Sequence, residues 1–473
     1  MSNHRQQLQD VVRYIGENFI AEVPRNIYQP GEGMESLLED GEKKSAFQPV
    51  TTSLLLLNTC LGNNTLLEGE RGTGKSMLAS VIGSLVYQIP HEFFAWRKVV
   101  GTPGATVNEI YATHDLAELN RGNDVAFLYM PFHAPFLIVD ELNRYSELEQ
   151  NRIREGISTG VWNYANHSWH VPGQVVVSAI NPESYGGTFI LNDNLIDNYA
   201  LVLDPAHYNP VLHREVIERA EQRLQEKLGL EEEVHKFMAF YQKHKNEPEN
   251  VQEKLQEMQQ KTVNEYKRRK VPFIHNGFLE QVRTEVQALP LAAEAELFFQ
   301  SVLAELSYSR KYGSARFDDP VSDDSHDLAY ASTKVKESLA GRFLKDWRQI
   351  SKAIAWYLGK PQAEVEEVKA AFLYTSPRRL KPEEEFYQQV LSGPRKLPVR
   401  VELARQLVES CWERYADLSK GESKGFQALR RAIRVLNGEE QGALDEATQT
   451  LKQVDHPLAQ RVLEAALSEK YKR

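Results

Sequence analysis

Cysteine is almost absent from this sequence of 473 residues, in which only Cys60 and Cys411 occur. Two cysteines exclude a disulfide framework and fit a reducing compartment. Long apolar runs are also missing. The longest ones, such as Leu54–Leu57, are far too short to span a bilayer, and the N-terminal stretch lacks the apolar core of a signal peptide. We therefore expect a cytoplasmic protein without a membrane span.

An excess of positive charge is missing as well. The chain has 66 acidic and 56 basic residues, which gives a net charge of -10. Because proteins that bind nucleic acid broadly present basic surfaces to the phosphates, this balance argues against a nucleic-acid partner. A basic tetrad at 267–270 lies in a charge-rich segment, which favours a solvated helix end over a nucleic-acid patch.

A glycine-rich octet at residues 69–76 reads Gly-Glu-Arg-Gly-Thr-Gly-Lys-Ser and matches the phosphate-binding pattern G-x-x-x-x-G-K-[ST]. A predicted strand precedes it and a predicted helix follows it. In such a loop, backbone N–H groups and the helix N-terminus face the phosphates. We expect Lys75 to reach the terminal phosphates of ATP and Ser76 to ligate Mg²⁺. The predicted nucleotide-binding residues are Gly69, Arg71, Gly72, Thr73, Gly74, Lys75, Ser76 and Met77.

Short apolar runs alternate with helical stretches from about residue 47 to 205, which is typical of a parallel α/β sheet. The strand candidates are 64–68, 96–100, 136–140, 175–180 and 200–203. After Pro205 the sequence turns helical and charge-rich, and we expect a long antiparallel helical hairpin that projects from the core. The predicted fold is an α/β P-loop NTPase core followed by helical modules.

Two further strands end in polar residues that a phosphate loop needs. The strand at 136–140 ends in Asp140 and is followed by Glu141, and the strand at 175–180 is followed by Asn181. Ligands of open α/β sheets bind at this carboxyl edge. We expect Asp140 to hold Mg²⁺, Glu141 to polarise the attacking water, and Asn181 to contact the γ-phosphate and that water.

These motifs resemble the MoxR branch of the AAA+ ATPases. The strings Ile-Val-Asp-Glu-Leu-Asn-Arg at 138–144 and Ser-Ala-Ile-Asn-Pro at 178–182 are close to that branch's spellings, and the phosphate loop is nearer to magnesium-chelatase-type subunits. The resemblance covers residues 47–205 and resumes at 338–380. It implies that Arg342, at the start of a lid helix, is the second sensor. Arg378 echoes the same motif but matches the closing segment of the lid better.

The sequence departs from this family at one catalytic position. Members carry an arginine shortly after the sensor asparagine that reaches the neighbouring subunit's γ-phosphate, and here the matching residue is Asn198. This departure implies slow hydrolysis, or an arginine supplied instead from Arg144, Arg152 or Arg154. A second departure is a helical insertion of more than 100 residues between the core and the lid.

The resemblance implies a domain order and a function. The expected segments are an N-terminal helical segment at 1–46, the AAA+ core at 47–205, the helical insertion at 206–330, the lid at 331–395 and a C-terminal helical module at 396–473. A ring of subunits, expected to be a homo-hexamer, would use ATP and Mg²⁺ to remodel a protein client together with a partner that carries a von Willebrand factor A domain. The alternatives are a nucleic-acid-remodelling NTPase and a slow nucleotide-dependent switch or scaffold.

Overall fold

The computed structural model describes residues 3–20, 22–32, 45–182, 186–204, 220–275, 277–308, 330–336, 339, 341–440 and 445–472. They divide into two compact units. The first comprises Met1–Ala288 and Tyr357–Gly359, and the second comprises Leu289–Trp356 and Lys360–Arg473. The expected insertion at 206–330 therefore contributes to both units, and the predicted domain boundaries stay predictions.

Helices make up most of both units. The helices whose two ends are both described are α1 Asn3–Asn18, α2 Val50–Leu61, α3 Lys75–Tyr87, α4 His91–Trp96, α5 Val107–Ile110, α6 Leu116–Leu119, α7 Glu147–Thr159, α8 Asp193–Ile196, α9 Glu231–His244, α10 Pro248–Arg269, α11 Phe278–Ala288, α12 Ala293–Leu306, α13 Gly341–Leu358, α14 Val365–Thr375, α15 Glu384–Ser392, α16 Val399–Ser419, α17 Lys424–Leu436, α18 Asp445–Leu451 and α19 Pro457–Lys472. Residues 220–228 are helical as well. No helix among the described residues combines the length and the apolar character needed to cross a bilayer.

All described strands belong to the first unit. They are β1 Arg25–Asn26, β2 Phe47–Gln48, β3 Asn64–Glu68, β4 Val99–Val100, β5 Ala112–His114, β6 Ala126–Leu128, β7 Phe136–Asp140, β8 Val161–Tyr164, β9 His167–His170, β10 Val175–Ile180 and β11 Tyr199–Leu203. The central sheet has five strands in the order β11-β3-β10-β7-β4, and every pair in it is parallel. The predicted parallel α/β fold is therefore confirmed.

One strand is shorter than predicted. The sequence indicated a strand over 96–100, whereas the structure has only Val99–Val100, because the preceding apolar residues form helix α4. Pro90 precedes the first residue of α4, and an aromatic pair inside the helix, Phe93 and Phe94, is buried. Periodicity alone does not separate a short buried helix from a strand, which explains the difference.

The sheet is covered on both faces, as its apolar sequence requires. All six residues of the central strand β10 are buried. Helix α2 is buried along its whole length and ends at Gly62, which adopts the left-handed conformation (φ 82°) and donates its N–H to the last turn of the helix. The apolar run Leu54–Leu57 therefore belongs to a core helix of the first unit.

Helices α9 and α10 form the antiparallel hairpin that the sequence predicted, but they lie along the core instead of projecting from it. Gln252 and Gln259 on α10 donate to the backbone carbonyls of His133 and Tyr87 at 2.8 Å. The buried Tyr266 hydroxyl contacts the hydroxyl of Ser84 on α3 at 2.5 Å. Polar side chains thus attach the hairpin to the core, and hydrophobic periodicity does not reveal such contacts.

The basic tetrad at 267–270 ends helix α10. Arg268 and Arg269 both pair with Glu265 one turn earlier, and Lys270 closes the helix in the left-handed conformation (φ 58°). The expected helix end is confirmed. Basic side chains are favourable at this end because the helix dipole is negative there.

The second unit is helical throughout its described part. Helix α16 has an apolar face along which Leu403, Leu407, Cys411 and Tyr415 are buried. Glu305, which is fully buried, forms an ion pair with Arg414 of α16 and connects α12 to that helix. Removal of one partner would leave a buried charge uncompensated.

Gly83 allows α3 to pack closely against β7, and this contact yields a stability prediction. A Cβ at Gly83 would lie 2.6 Å from the ring of Phe136, the first residue of β7. We expect Gly83→Ala to lower the free energy of unfolding by about 1–3 kcal/mol because the core is overpacked. Urea unfolding measures this change.

Gly16 on α1 provides the matched control. A Cβ there would meet nothing within 4 Å, so Gly16→Ala should stabilise the protein by about 0.5–1 kcal/mol. Equal effects of the two substitutions would contradict the close packing at Gly83.

Candidate functional site

The predicted phosphate loop lies between β3 and α3, as the motif requires. Gly72 and Gly74 have positive φ values of 77° and 76°, which side chains with a Cβ rarely adopt. The Thr73 hydroxyl donates to the carbonyl of Glu70 at 2.8 Å and closes the loop on itself. Helix α3 begins at Lys75, so its N-terminus faces the loop and is suited to an anion.

The Lys75 side chain contacts its own loop. Its ammonium donates to the carbonyl oxygens of Gly69 at 2.5 Å and of Glu70 at 2.6 Å. Burial lowers the pKa of Lys75 below its ordinary value, and nearby carboxylates, Asp140 above all, oppose that change. Bound phosphate oxygens would stabilise the protonated, charged form of Lys75, because they are negatively charged and lie beside it.

Asp140 lies beside the loop and accepts two hydrogen bonds on one oxygen. Its Oδ2 receives the Ser76 hydroxyl at 2.7 Å and the Lys98 ammonium at 2.6 Å. Burial alone would raise the pKa of Asp140, but the hydrogen bonds from Lys98 and Ser76 outweigh it and hold the pKa below its ordinary value. The carboxylate is thus kept ionised.

The pair of Ser76 and Asp140 fits a magnesium ion. Mg²⁺ prefers hard oxygen ligands and is commonly held by one or two protein oxygens together with phosphate oxygens. A hydroxyl and an ionised carboxylate 2.7 Å apart, beside a phosphate loop, supply such a set. Lys98 was missed by the sequence reasoning because its position depends on β4 lying next to β7.

Glu141 occupies a sharp turn directly after β7. It has a positive φ of 52°, which is uncommon for a residue with a side chain and marks a strained turn. Gly101 packs against this turn, because a Cβ there would lie 2.1 Å from the carbonyl oxygen of Glu141. The Gly101 N–H also donates to the Asp140 carbonyl at 2.8 Å. The exit of β4 therefore supports the turn that aims Glu141.

The Glu141 carboxylate is approached by one hydrogen-bonding amide and two arginines. Arg144 lies 3.1 Å from one oxygen, the Asn181 amide donates to the other at 3.2 Å, and Arg71 is 3.9 Å from that second oxygen. The structure thus brings Glu141 and Asn181 together, as the sequence predicted. Arg144 contacts the glutamate of its own chain.

Asn143 holds Asn181 and was also missed as a site residue. The Asn143 amide donates to the backbone carbonyl of Asn181 at 2.8 Å, and its oxygen accepts the Asn181 N–H at 3.4 Å. Both residues are almost fully buried. The only available signal was the position of Asn143 in the string after Glu141, and its contact with another strand end cannot be inferred from spacing.

The remaining nucleotide-binding candidates belong to the loop or follow it directly. Arg71 and Gly72 are exposed, and Thr73, Gly74, Ser76 and Met77 are half-buried. Among the described residues, the structure brings Lys75, Ser76, Asp140, Glu141 and Asn181 to one edge of the sheet. Their assigned roles stay predictions.

Asn198 lies at the opposite edge of the sheet from the phosphate loop. Its backbone carbonyl accepts from the side chain of Asn64, the first residue of β3, and Tyr199 pairs with Asn64 in the sheet. The loop follows the other end of the same strand, about 13 Å away at 3.3 Å per residue. On α7, Arg152 is exposed and Arg154 is half-buried.

The two arginines considered for the second sensor belong to the second unit. Arg342 is exposed in the first turn of α13, whereas Arg378 is buried with 5% of its surface exposed. The exposed position suits a residue that contacts a ligand, and the role of Arg342 stays a prediction.

Comparisons with known proteins find the fold but no family. No family model matches the sequence, and no curated protein matches it. The structure is similar to the solved structure of a candidate ATPase from Cytophaga hutchinsonii, with a TM-score of 0.54 and 14% sequence identity over 87% of this chain and 94% of the other. This likeness supports the α/β P-loop core with helical modules.

The Lys98–Asp140 pair predicts a pH-dependent loss of stability. Lys98→Met removes the ammonium that opposes burial, so the pKa of Asp140 should rise. The ionised, paired carboxylate stabilises the fold above the unfolded pKa of about 4, and this stabilisation is lost as the pH falls through the lower folded pKa. We therefore expect the variant to lose about 1 kcal/mol of unfolding free energy near neutral pH, a small loss because Lys98 is partly exposed. In acid, where Asp140 is protonated, the loss should be much smaller.

Urea unfolding of the wild type and of Lys98→Met, from neutral pH down into acid, measures the difference in unfolding free energy. Lys98→Arg keeps the positive charge and serves as the control. A Lys98→Met deficit that is constant with pH would contradict the ion-pair explanation.

Proposed function

We propose that this chain is an ATP-hydrolysing enzyme of MoxR type that works as a ring of subunits. The observation that supports this most is the meeting of three strand ends at the phosphate loop. Ser76 contacts Asp140 at 2.7 Å, and Asn181 contacts Glu141 at 3.2 Å. A phosphate cradle, an ionised carboxylate for a cation and a second carboxylate beside an amide are the parts that ATP hydrolysis needs.

Each residue has a role in this mechanism. Lys75 turns from its own carbonyls to the terminal phosphates, where its charge stabilises the transition state. Ser76 and Asp140 would hold Mg²⁺, which would neutralise phosphate charge. Glu141 accepts the proton of the attacking water, and Asn181 orients that water. Arg144 and Asn181 fix the direction of the Glu141 carboxylate before substrate arrives.

Asn198 sets the expected rate. An arginine in place of Asn198 would reach the neighbouring subunit, and arginine fingers contribute about 10³–10⁵-fold in phosphoryl transfer. The position of Asn198 at the far edge of the sheet suits a contact in trans. Because asparagine carries no charge, hydrolysis is slow unless Arg152 or Arg154 substitutes, since Arg144 contacts Glu141 of its own chain. A slow nucleotide-dependent switch is therefore the second candidate function.

The ring, its partner and the lid complete the proposal. The likeness to the candidate ATPase covers the chain almost end to end. We propose a homo-hexamer in which Arg342 of the lid senses the γ-phosphate, and a client-remodelling activity with a partner that carries a von Willebrand factor A domain. Helices α9 and α10, with their exposed charged faces, are the proposed seat of partner specificity.

Replacement of Glu141 separates nucleotide binding from hydrolysis. We expect Glu141→Gln to keep ATP affinity and to lower turnover by about 10²–10⁴-fold, since the general base is lost. Glu147→Gln, an exposed glutamate in the first turn of α7, should leave turnover unchanged. Phosphate release and the binding of a fluorescent ATP analogue measure the two properties.

Lys75→Ala should abolish analogue binding as well as turnover. If wild-type protein binds ATP tightly but releases no phosphate at any protein concentration, and Glu141→Gln changes nothing, the enzyme proposal fails and the switch is favoured.

A mixing experiment tests whether Arg152 acts in trans. Arg152→Ala should lower turnover because the exposed guanidinium no longer reaches a neighbouring γ-phosphate. Mixed with Glu141→Gln, it should recover part of the activity, since the mixed interface combines an intact glutamate with an intact arginine. Arg154→Ala, tested in the same way, is the comparison. If mixing brings no recovery for either arginine, neither acts in trans.

A further inference from the structure

Three side chains that can ligate a metal meet outside the five-stranded sheet. They are His114, Asp124 and His167. His114 ends β5 and pairs with Ala126, so His114 and Asp124 stand at the same end of the β5–β6 hairpin. His167 opens β9, directly after the two-residue turn from β8. Two hairpins that are distant in sequence therefore supply one cluster.

The distances within the cluster fit a single ion. Oδ1 of Asp124 lies 3.3 Å from Nδ1 of His114 and 3.2 Å from Nε2 of His167, and all three atoms lie within 4.8 Å of one another. With metal bonds of about 2.0–2.1 Å in a tetrahedral zinc site, neighbouring ligand atoms are about 3.3 Å apart. Two of the three ligand separations already have this value.

Nδ1 of His114 needs a partner that the described protein does not provide. The atom is buried, and no hydrogen bond to it occurs among the described residues. The Asp124 carboxylate 3.3 Å away does not satisfy it, because the geometry is not that of a hydrogen bond. A buried polar atom left in this state carries its full desolvation penalty. A metal ion bound by the nitrogen lone pair would remove that penalty.

Surrounding groups hold the three ligands in place. The Asn166 amide donates to the second oxygen of Asp124 at 3.1 Å, and together with His167 it keeps the pKa of Asp124 below its ordinary value. The His167 ring is stacked on Trp169, and the His114 ring packs against Tyr164 with centroids 5.0 Å apart. Such outer contacts orient metal ligands in known sites.

The ligand set selects the class of metal. Imidazole nitrogens suit zinc and neighbouring transition metals, whereas Ca²⁺ takes six to eight oxygen ligands and Mg²⁺ is octahedral and oxygen-bound. The ligand side chains are between 26% and 46% exposed. Three protein ligands on an accessible surface leave a fourth position for water or for a side chain of a partner protein.

We propose that His114, Asp124 and His167 bind one zinc-type divalent transition-metal ion. The ion joins the β5–β6 hairpin to the β8–β9 hairpin, which already touch through the hydrogen bond from the Tyr111 hydroxyl to the Asn163 carbonyl at 2.6 Å. This site does not depend on the nucleotide site or on its proposed function.

The test uses the full chain without an affinity tag, freed of metal with a chelator. Equilibrium dialysis with Zn²⁺ should give one bound ion per chain, and the absorption of bound Co²⁺ reports its coordination number. We expect His114→Ala, Asp124→Ala and His167→Ala each to lower Zn²⁺ affinity by at least about tenfold, and Asn166→Ala to lower it by about tenfold. His170→Ala, an exposed histidine on the same strand β9, is the matched control and should bind as the wild type does.

Thermal unfolding gives a second measurement. Zn²⁺ should raise the melting temperature of the wild type and of His170→Ala, and should not raise that of the three ligand variants. Metal-free variants that melt at the wild-type temperature show that folding is intact. Absence of Zn²⁺ binding by the wild type, or equal binding by the ligand variants and by His170→Ala, would overturn the proposal and leave an ordinary polar cluster in which, of the two histidines, only His167 is hydrogen-bonded to Asp124.

Discussion

The register of β3, β10 and β7 is the constraint on which the candidate site depends. Ile180 of β10 pairs with Glu68 of β3, and Ser178 pairs with Val139 of β7. This register brings the phosphate loop, Asn181 and Glu141 to the same carboxyl edge of the sheet. A slip of one residue in any of these strands would turn its end toward the other face and separate the groups. Both faces of β10 are buried, and such a slip would force its side chains into spaces that are packed for other side chains.

Electrostatic balance within the site is local and dense. Lys75 and Lys98 each contact oxygen atoms at 2.5–2.6 Å, and Arg144 contacts Glu141 at 3.1 Å. These oxygen atoms thus orient the three cations before any phosphate binds. Because interactions made before binding reduce the cost of ordering side chains, the edge that carries the candidate site is organised by its own chain.

Strand ends were predictable from sequence, but contacts between neighbouring strands were not. The loop, Asp140, Glu141 and Asn181 follow apolar runs whose positions the sequence indicates, so their common edge could be inferred. Lys98 and Asn143 depend on which strands are neighbours, and nothing in their spacing states that order. The cluster of His114, Asp124 and His167 was also missed, because its members come from two hairpins with irregular separations. The hairpin of α9 and α10 shows the same limit, since glutamine side chains bonded to carbonyls fix its position.

Asn198 and the phosphate loop lie at opposite edges of the sheet, and this separation limits how copies of the chain can join through them. A residue at the amino edge of the sheet and a phosphate loop at its carboxyl edge are two different surfaces of one chain. Two copies that join these surfaces do so head to tail, and a twofold dimer, which pairs a surface with itself, cannot do this. Such an interface has the same orientation at every contact between copies. The assembly therefore stops growing only when it closes into a ring or when the free edge of its last copy is blocked.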